Sequence, residues 1–373
     1  MFSVAFLAGA LAHAEEPPPP PPPTEAARIA ELEARLAALE AARVQAEQDA
    51  LMRDAEAMAA PEGPPPPQAS ARASFNAMNP GIIVFGDLVG QVGVDPDGLM
   101  PGSTMYVRSL ELELRADVDP FAKAAVMIAF EQEPPPLEGG PGEGFGGGPE
   151  ELYIDLVALP LHLSARAGKF RVPFGIINRI HPHDLPWTDA PELLGDEGYN
   201  DTGVSLGWLL PLGPAALTLT GGAFAGDPFD EEGARASIAG LGRVELFVGS
   251  GHVDVAVGAS GLKELNGQIL GADVTFRWRP NQRRSVVLMG EWVEGVGYAA
   301  LQVQPARNVY VGFREDIAAD TLKHNLFLTY YTSEFLRFRV GGGYSPATGT
   351  VEALAQLTFV WGSHPVEPWW VNR

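Results

Sequence analysis

The 373-residue chain has no cysteine and comparatively few basic residues. Without cysteine it has neither a disulfide framework nor a Cys-based metal site. Its 25 Lys and Arg against 47 Asp and Glu give a formal net charge of −22, which argues against a nucleic-acid partner because phosphate binding requires clustered basic side chains. No apolar run reaches about 18 residues, so no membrane-spanning helix is predicted. A role in a membrane therefore requires a β-barrel or a surface helix.

The beginning of the sequence resembles an export signal. Residues 1–14 are mostly apolar and end in Ala12-His13-Ala14, the small-x-small pattern of a secretory cleavage site. We predict a signal peptide here. The alternative is an ordinary apolar N-terminus, because the basic residues that usually open a signal peptide are missing. The absence of cysteine is compatible with an exported protein that uses no disulfides.

Two proline-rich stretches bracket a helical segment. Residues 15–23 and 61–73 are predicted to be extended spacers. Residues 24–60 between them are rich in Ala, Glu, Arg and Leu, and a heptad seam runs through them. The seam consists of Ile29, Leu32, Leu36 and Leu39. We predict a coiled coil that self-associates, with a trimer as the expected state; the alternative is a solitary Ala-rich helix.

Residues 74–373 alternate apolar and polar side chains with a period of two. Leu336, Phe338 and Val340 alternate with Arg337 and Arg339, and similar alternation recurs near 110–115, 272–279 and 355–361. Charged residues at every second position of a long strand require a wet face opposite an apolar one. A water-filled barrel in lipid supplies both faces.

About sixteen strand-like runs can be counted, and most have the roughly 9–11 residues that a tilted strand needs to cross a bilayer. They lie near 82–93, 104–117, 121–132, 150–158, 161–172, 202–210, 215–225, 236–248, 251–262, 267–279, 284–294, 297–304, 308–316, 322–331, 335–344 and 350–361. The connections after even-numbered runs are tight. The long ones, at about 133–149, 173–201 and 226–235, all follow odd-numbered runs.

This asymmetry is typical of outer-membrane barrels, which have short periplasmic turns, long external loops and an even strand number. The predicted fold class is all-β: an antiparallel transmembrane β-barrel of about sixteen strands with an N-terminal helical coiled coil in the periplasm. The alternative is a soluble β-sandwich or propeller. The exposed aromatic residues, including Trp369 and Trp370, are expected to form interfacial girdles.

Positions with inward parity carry charges of both signs. The basic residues are Arg115, Arg166, Arg243, Arg277, Arg314, Arg337 and Arg339, and acidic residues such as Glu291 share their parity. Facing rows of opposite charge would set a transverse field across a general diffusion pore, whereas a basic ladder alone would favour anions. The alternative is that these are merely solvated lumen residues. Acidic external loops, such as 131–151, would attract cations at the mouth.

The most distinctive stretch surrounds the third external loop. It contains GKFRVPFG (168–175), His181-Pro182-His183 and NDTG (200–203). Such a loop either projects outward or folds into the lumen as a constriction. Its polar side chains are predicted to lie near the pore: Arg166, Lys169, Arg171, Arg179, His181, His183 and Asp184. His181, His183 and Asp184 could also ligate a metal ion, but packing of the loop is the preferred interpretation, and we predict neither metal nor cofactor.

These motifs, placed after a coiled coil and ahead of alternating strands, resemble those of proteobacterial outer-membrane barrels related to the phosphate-selective porins. The residue-by-residue motif matches to that family lie within about 166–205. The resemblance implies a sixteen-stranded, trimeric porin-like barrel with Lys169, Arg171 and the histidine loop near the pore or its rim. The acidic balance and the lack of a dense inward basic ladder argue against phosphate selectivity. The last strand is predicted to end near Trp361, leaving residues 363–373 as an extension.

Three functional classes follow from these patterns. The first is an outer-membrane porin for passive diffusion of small solutes or ions, in contact with lipid and lipopolysaccharide. The second is a non-conducting barrel for envelope anchoring or adhesion. The third, an outer-membrane hydrolase, is disfavoured because candidates such as Ser260 and Ser285 have no neighbouring base and oxyanion-hole context in the sequence. We therefore predict no enzyme activity.

Overall fold

A computed structural model describes residues 80–142, 144–157, 159–191, 193, 198–226, 238–265, 267–319, 321–362 and 368–372. The predicted signal peptide, spacers and coiled coil lie outside the described residues, as do residues 74–79 and most of the predicted loop near 226–235. Among the residues described, no helix is long and apolar enough to cross a membrane.

The strands form a single closed antiparallel sheet. They are β1 (Gly81–Asp95), β2 (Gly98–Leu99), β3 (Thr104–Asp119), β4 (Ala122–Glu131), β5 (Gly146–Leu156), β6 (Leu163–Arg171), β7 (Asn200–Leu212), β8 (Ala215–Phe224), β9 (Ala239–Ser250), β10 (Val253–Lys263), β11 (Gln268–Asn281), β12 (Arg284–Val293), β13 (Val296–Ala306), β14 (Val309–Ala318), β15 (Thr321–Tyr331), β16 (Leu336–Ser345) and β17 (Thr350–Gly362). Because β1 pairs with both β3 and β17, the sheet closes on itself. The two-residue β2 only extends the end of β1, so the predicted barrel of about sixteen long strands is confirmed.

The two ends of the barrel differ in the length of their connections. The short-turn end includes the turns 120–121, 213–214, 251–252, 282–283 and 307–308. The long connections follow β4, β6 and β8 and lie at the opposite, long-loop end. These are the third, fifth and seventh long strands, so the predicted parity holds.

The two faces of the wall have opposite character. On β16, Phe338 and Val340 are 44% and 52% exposed, whereas Arg337 and Arg339 are 8% and 1% exposed. The same alternation occurs on β12 and β15. The outer face is therefore broadly apolar and the inner face carries the buried charged residues, which is the pattern of a barrel with lipid outside. A single closed sheet rules out the sandwich and propeller alternatives.

The main buried cluster lies inside the barrel. Phe174, Leu185 and Trp187, which follow β6, pack with inward residues of the wall such as Val287 and Met289. Wall side chains fill the interior of a barrel of about eight strands, whereas a barrel of sixteen strands is wide enough to leave open space. Here a connecting segment occupies part of that wide interior. The interior of the barrel is thus the place to look for function.

Two details of the sequence prediction need correction. Strand β5 begins at Gly146, not near 150, because the glycine-rich run 146–148 continues the ladder with β4 and Gly147 leaves room for the ring of Phe130. The second correction concerns the aromatic residues, of which only some are exposed on the outer face. Trp292, Trp361, Tyr330 and Tyr344 are exposed, but Trp370, Tyr298 and Tyr331 are buried and therefore do not belong to an outer girdle.

Candidate functional site

The connection between β6 and β7, residues 172–199, is here called the inner segment. Its two ends are tied together at a narrow neck. The Val172 amide donates to the Tyr199 carbonyl at 2.9 Å. The Asn178 side chain donates to the carbonyl oxygens of both residues, at 2.7 and 2.9 Å. Gly198 has a φ of +67° beside Asn178, a backbone conformation that favours glycine. The neck makes this connection a closed lobe rather than an open loop.

The inner segment is anchored on β10 and β12 through its own main chain. The Gly175 amide donates to Ser260 Oγ at 3.1 Å. The Ile176 and Ile177 amides donate to Glu291 Oε2 at 3.2 and 3.1 Å. Glu291 is 3% exposed, so the structure places this predicted pore residue beneath the segment. Its carboxylate satisfies amides that would otherwise be buried without partners.

His183 sits at the opposite wall. Its Nδ1 lies 3.1 Å from Glu111 on β3, its Nε2 lies 3.5 Å from Asp184, and its ring stacks on Phe85 with 4.1 Å between centroids. Burial alone would lower the pKa of His183, but the two carboxylates raise it to about 10. A protonated imidazole has no free lone pair for a metal ion. This geometry favours packing over the His181–His183–Asp184 metal alternative.

A different trio comes closer to metal-ligand spacing. Ligand atoms of Glu111, Glu150 and His181 lie within 4.8 Å of one another. However, Arg171 already pairs with Glu150 at 2.5 Å, and His181 lies 3.7 Å from Glu150 and 3.8 Å from Glu151. An arginine on one of the carboxylates competes directly with a cation. These contacts hold the inner segment against β3 and β5.

Arg339 on β16 makes four hydrogen bonds, two to the inner segment and two to the neighbouring wall strands. It donates to the carbonyl oxygens of Leu185 and Trp187 at 2.8 and 2.5 Å. It also donates to Gln356 Oε1 and Thr329 Oγ1 at 2.8 and 2.9 Å. Carbonyl, amide and hydroxyl oxygens thus take the place of a carboxylate around this buried cation. This compensates for much of the cost of burying an arginine.

Two further arginines also attach the inner segment to the wall. Arg314 on β14 donates to the Asp189 main-chain oxygen at 2.7 Å and to its carboxylate at 3.0 Å, and it also pairs with Asp316. Arg337 on β16 donates to the main-chain oxygen of His183. The predicted lumen arginines 314, 337 and 339 therefore do more than line the wall, because they hold the inner segment across the barrel.

The remaining predicted arginines pair with carboxylates. The pairs are Arg115–Glu113, Arg166–Asp155, Arg171–Glu150, Arg179–Glu245, Arg243–Asp273 and Arg277–Asp254. Lys169 is exposed and donates weakly to the Pro149 carbonyl at 3.5 Å. Paired charges of both signs match the mixed wall that parity predicts, in contrast to a free basic ladder.

Open space remains on the side of β9, β10 and β11. A cavity of about 370 Å³ lies between this wall and the inner segment. It is lined by Ile176, Arg179 and Ile180 of the segment, by Glu245, Phe247, Asp254, Ala256, Asp273, Thr275 and Arg277 of the wall, and by Trp369. The inner segment therefore leaves a cavity with charged walls along one side of the lumen.

One important wall residue was missed by sequence reasoning. Asp87 on β1 is fully buried, pairs with Arg108, and accepts hydrogen bonds from Gln356 and Thr358. Arg108 in turn donates to the Thr188 main-chain oxygen. Inward parity on β1 was the signal that could have found Asp87. The role of Arg108 depends on the path of the inner segment, which parity does not reveal.

The serine residues considered as nucleophiles of a hydrolase form hydrogen bonds with neighbouring groups of the barrel interior. Ser260 Oγ accepts hydrogen bonds from the Gly175 amide and from Arg243, and Ser285 Oγ donates to Gln304. Neither set of contacts supplies the general base that activates a serine nucleophile.

Sequence comparisons assign no family to the chain. No protein-family model matches the chain, so the resemblance to phosphate-selective porins is not supported at the family level. An uncharacterized protein of Aquifex aeolicus (strain VF5) is 23% identical over 334 residues, covering 69% of this chain and 68% of that protein.

Solved structures share the barrel. Salmonella typhi OmpF in complex with daunomycin has a TM-score of 0.53 at 9% identity, covering 77% of this chain and 99% of that one. Pseudomonas putida OprB, in a high-pH structure, has a TM-score of 0.51 at 10% identity, covering 78% and 96%. At this identity the similarity shows the fold alone: the chain is a closed antiparallel barrel of the kind found in these two bacterial proteins.

Proposed function

We propose that the protein is a porin of the bacterial outer membrane, through which small solutes or ions diffuse passively past a constriction made by the inner segment. The observation that carries this proposal is the charged cavity of about 370 Å³ beside that segment. It lies within a closed barrel whose outer face is apolar. Likeness in fold to bacterial porins supports the same conclusion.

The cavity lining suggests how the passage treats charge. Three carboxylates, Glu245, Asp254 and Asp273, face two guanidinium groups, Arg179 and Arg277, so the lining carries a net charge of −1 (two positive, three negative). Opposite charges close together create a transverse field in which a hydrated solute keeps polar partners while it passes. Together with the overall acidic balance, this favours cations weakly over anions.

The surroundings of the barrel belong to the same proposal. Residues 1–14 direct export, and the coiled coil 24–60 lies in the periplasm and supports a homotrimer. The apolar outer face contacts lipid and lipopolysaccharide. The short-turn end faces the periplasm and the long-loop end faces outward, as is usual for barrels of this membrane.

A second candidate function is a non-conducting barrel for envelope anchoring or adhesion. The observation in its favour is the amount of chain inside the lumen: Trp187 of the inner segment and Trp370 near the C-terminus are 3% and 2% exposed. If these segments left no continuous path, the barrel would serve as a membrane anchor for its loops and coiled coil.

Liposome swelling separates the two functions. The full-length protein is reconstituted into vesicles that are then diluted into solutions of neutral sugars of increasing size. A porin makes small sugars enter rapidly and larger ones slowly, with a cut-off set by the passage beside the inner segment. If correctly folded protein gives neither swelling with any sugar nor ionic current across a planar bilayer, the porin proposal is wrong and the anchoring function takes its place.

A further inference from the structure

The barrel closes without help from its last residues. Strand β17 ends at Gly362, which pairs with Ile83 of β1. The chain nevertheless continues to Arg373, and residues 368–372, here called the C-terminal segment, lie against the inner wall. Their position needs an explanation other than closure of the sheet.

Asn372 is recognised through both its main chain and its side chain. Its backbone amide donates to the Tyr310 hydroxyl at 2.9 Å, and its carbonyl oxygen accepts from Gln304 Nε2 at 2.5 Å. Its side-chain amide donates to Gln304 Oε1 at 2.8 Å and to the Asn281 carbonyl at 2.9 Å. Reciprocal pairing of this kind satisfies the main-chain amide, the main-chain carbonyl and the side-chain NH2 group of one residue, and such complementarity is the mark of a specific peptide contact.

The two tryptophans supply the apolar part of the contact. Trp370 is 2% exposed, and it belongs to the same buried cluster as Trp187 and Val287. Its carbonyl oxygen accepts from Gln302 Nε2 at 3.1 Å. The Trp369 carbonyl accepts from Arg277, whose guanidinium lies 5.9 Å from the Trp369 ring. Burial of a tryptophan removes a large apolar surface from water and dominates the energetics of a contact this small.

The C-terminal segment occupies a defined end of the lumen. Asn281 and Arg284 flank the turn 282–283, and Tyr310 follows the turn 307–308, so its hydrogen-bond partners lie at the short-turn end. Trp369 also lines the cavity of about 370 Å³ that the inner segment bounds from the other side. The cavity therefore lies between two pieces of chain, the inner segment and the C-terminal segment.

We propose that the lumen contains, at the short-turn end, a peptide-binding site whose ligand is the C-terminal segment of the same chain, and that the bound segment narrows the diffusion path. The binding half of this proposal depends only on the contacts above. The narrowing half rests on the proposed porin function. A tethered ligand of this kind has a high effective concentration, so modest affinity is enough to keep the site filled.

Cross-linking tests the binding half. Because the chain has no cysteine, the pair Asn372→Cys and Gln304→Cys introduces the only two thiols, and a short bifunctional thiol reagent is applied to the reconstituted full-length protein. We expect an intramolecular cross-link. The control pair, Asn372→Cys with Tyr330→Cys, places the second thiol on the outer face and should give none. Equal yields in both pairs would overturn the binding site.

Single-channel recording tests the narrowing half. A variant ending at Gly362 is compared with the full chain, after resistance of each barrel to unfolding in detergent shows that both are folded. We expect higher conductance without the C-terminal segment. A synthetic peptide Pro-Trp-Trp-Val-Asn added at the short-turn side should lower it again, whereas Pro-Ala-Ala-Val-Asn should not.

The outcomes separate the two proposals. Unchanged conductance of the folded truncated barrel would overturn narrowing by the C-terminal segment while leaving the porin function intact. If neither form conducts, the porin proposal and the narrowing half fail together, and the cross-linking result still decides whether the peptide-binding site exists.

Discussion

Arg339 Nη2 on the barrel wall donates a hydrogen bond to the carbonyl oxygen of Leu185 in the inner segment, at 2.8 Å. The donor is 1% exposed and the two residues are 154 positions apart in sequence. A buried charged side chain of the wall thus binds a main-chain oxygen of the inner segment. The inner segment is held by fixed wall positions and not by a general apolar collapse alone.

The first prediction concerns this attachment. Arg339→Lys keeps the charge but replaces three spaced guanidinium nitrogens by a single ammonium nitrogen, which cannot reach all four acceptors, including the carbonyl oxygens of Leu185 and Trp187. Each hydrogen bond to a charged group contributes about 1.5–3 kcal/mol, and we expect the inner segment to open more often. Limited trypsin digestion should then cleave faster after Arg179, which lies within the segment.

A matched control is Arg279→Lys on β11, whose side chain is 36% exposed and does not touch the inner segment in the contacts described. It should leave cleavage after Arg179 unchanged. The same rate in both variants and in the unchanged protein would contradict the role assigned to Arg339.

The second prediction is a pH dependence that originates at His183. Burial alone would lower the pKa of His183, but Glu111 and Asp184 raise it from 6.5 to about 10. Because the folded-state pKa lies above the unfolded one, the stabilisation is complete below pH 6.5, declines above it and is lost as the pH rises through about 10. We expect the free energy of unfolding in vesicles to fall over that range.

His183→Gln should remove this decline, whereas His162→Gln, in an exposed turn, should preserve it. On the acid side, burial alone would raise the pKa of Asp184, but His183 lowers it from 3.8 to about 2. The contribution of Asp184 to the free energy of unfolding is therefore present above pH 3.8 and is lost as the pH falls through about 2. If the free energy of unfolding of the His183→Gln variant still fell between neutral and alkaline pH, the decline would not originate from the contacts of His183 with Glu111 and Asp184.

The third prediction tests lipid contact of the outer face. Leu326 lies near the middle of β15 and is 60% exposed, whereas Tyr330 lies near the end of β15 and is 50% exposed. In a bilayer, Leu326→Arg should cost about 2–4 kcal/mol and Tyr330→Arg about 0–1 kcal/mol, because the cost depends on depth. Urea titration in vesicles measures both; equal costs would mean that this face is not lipid-embedded as inferred.

Much of the fold could be predicted from the sequence. The period of two on β16 separates Phe338 and Val340 from Arg337 and Arg339, and the lengths of the connections reveal which end carries the loops. Both signals are local, because strand alternation and turn length are properties of consecutive residues. This is why the strand number was confirmed while some strand ends shifted.

The candidate site was less accessible to sequence reasoning. Parity indicates that Arg339 and Glu291 face inward, but their partners are main-chain groups of the inner segment. Main-chain carbonyls and amides occur at nearly every residue, so the sequence cannot show which of them will be bound. Trp370 illustrates the same limit. Near the end of a barrel, tryptophan normally suggests an interfacial girdle. Trp370 lies inside because its carbonyl accepts from Gln302 and because Asn372, two residues further on, pairs with Gln304 and Tyr310.

The central claim is tested most directly by planar-bilayer recording of three full-length proteins: the unchanged protein, the Glu245→Gln variant and the Arg179→Gln variant. These two residues pair at 3.0 Å and both line the cavity. In a gradient of salt near 0.1 M, where the screening length is about 10 Å, we expect stepwise currents with a weak preference for cations. Glu245→Gln should shift the reversal potential toward anions and Arg179→Gln toward cations. Absence of current, or a reversal potential that neither substitution moves, would contradict a diffusion path beside the inner segment.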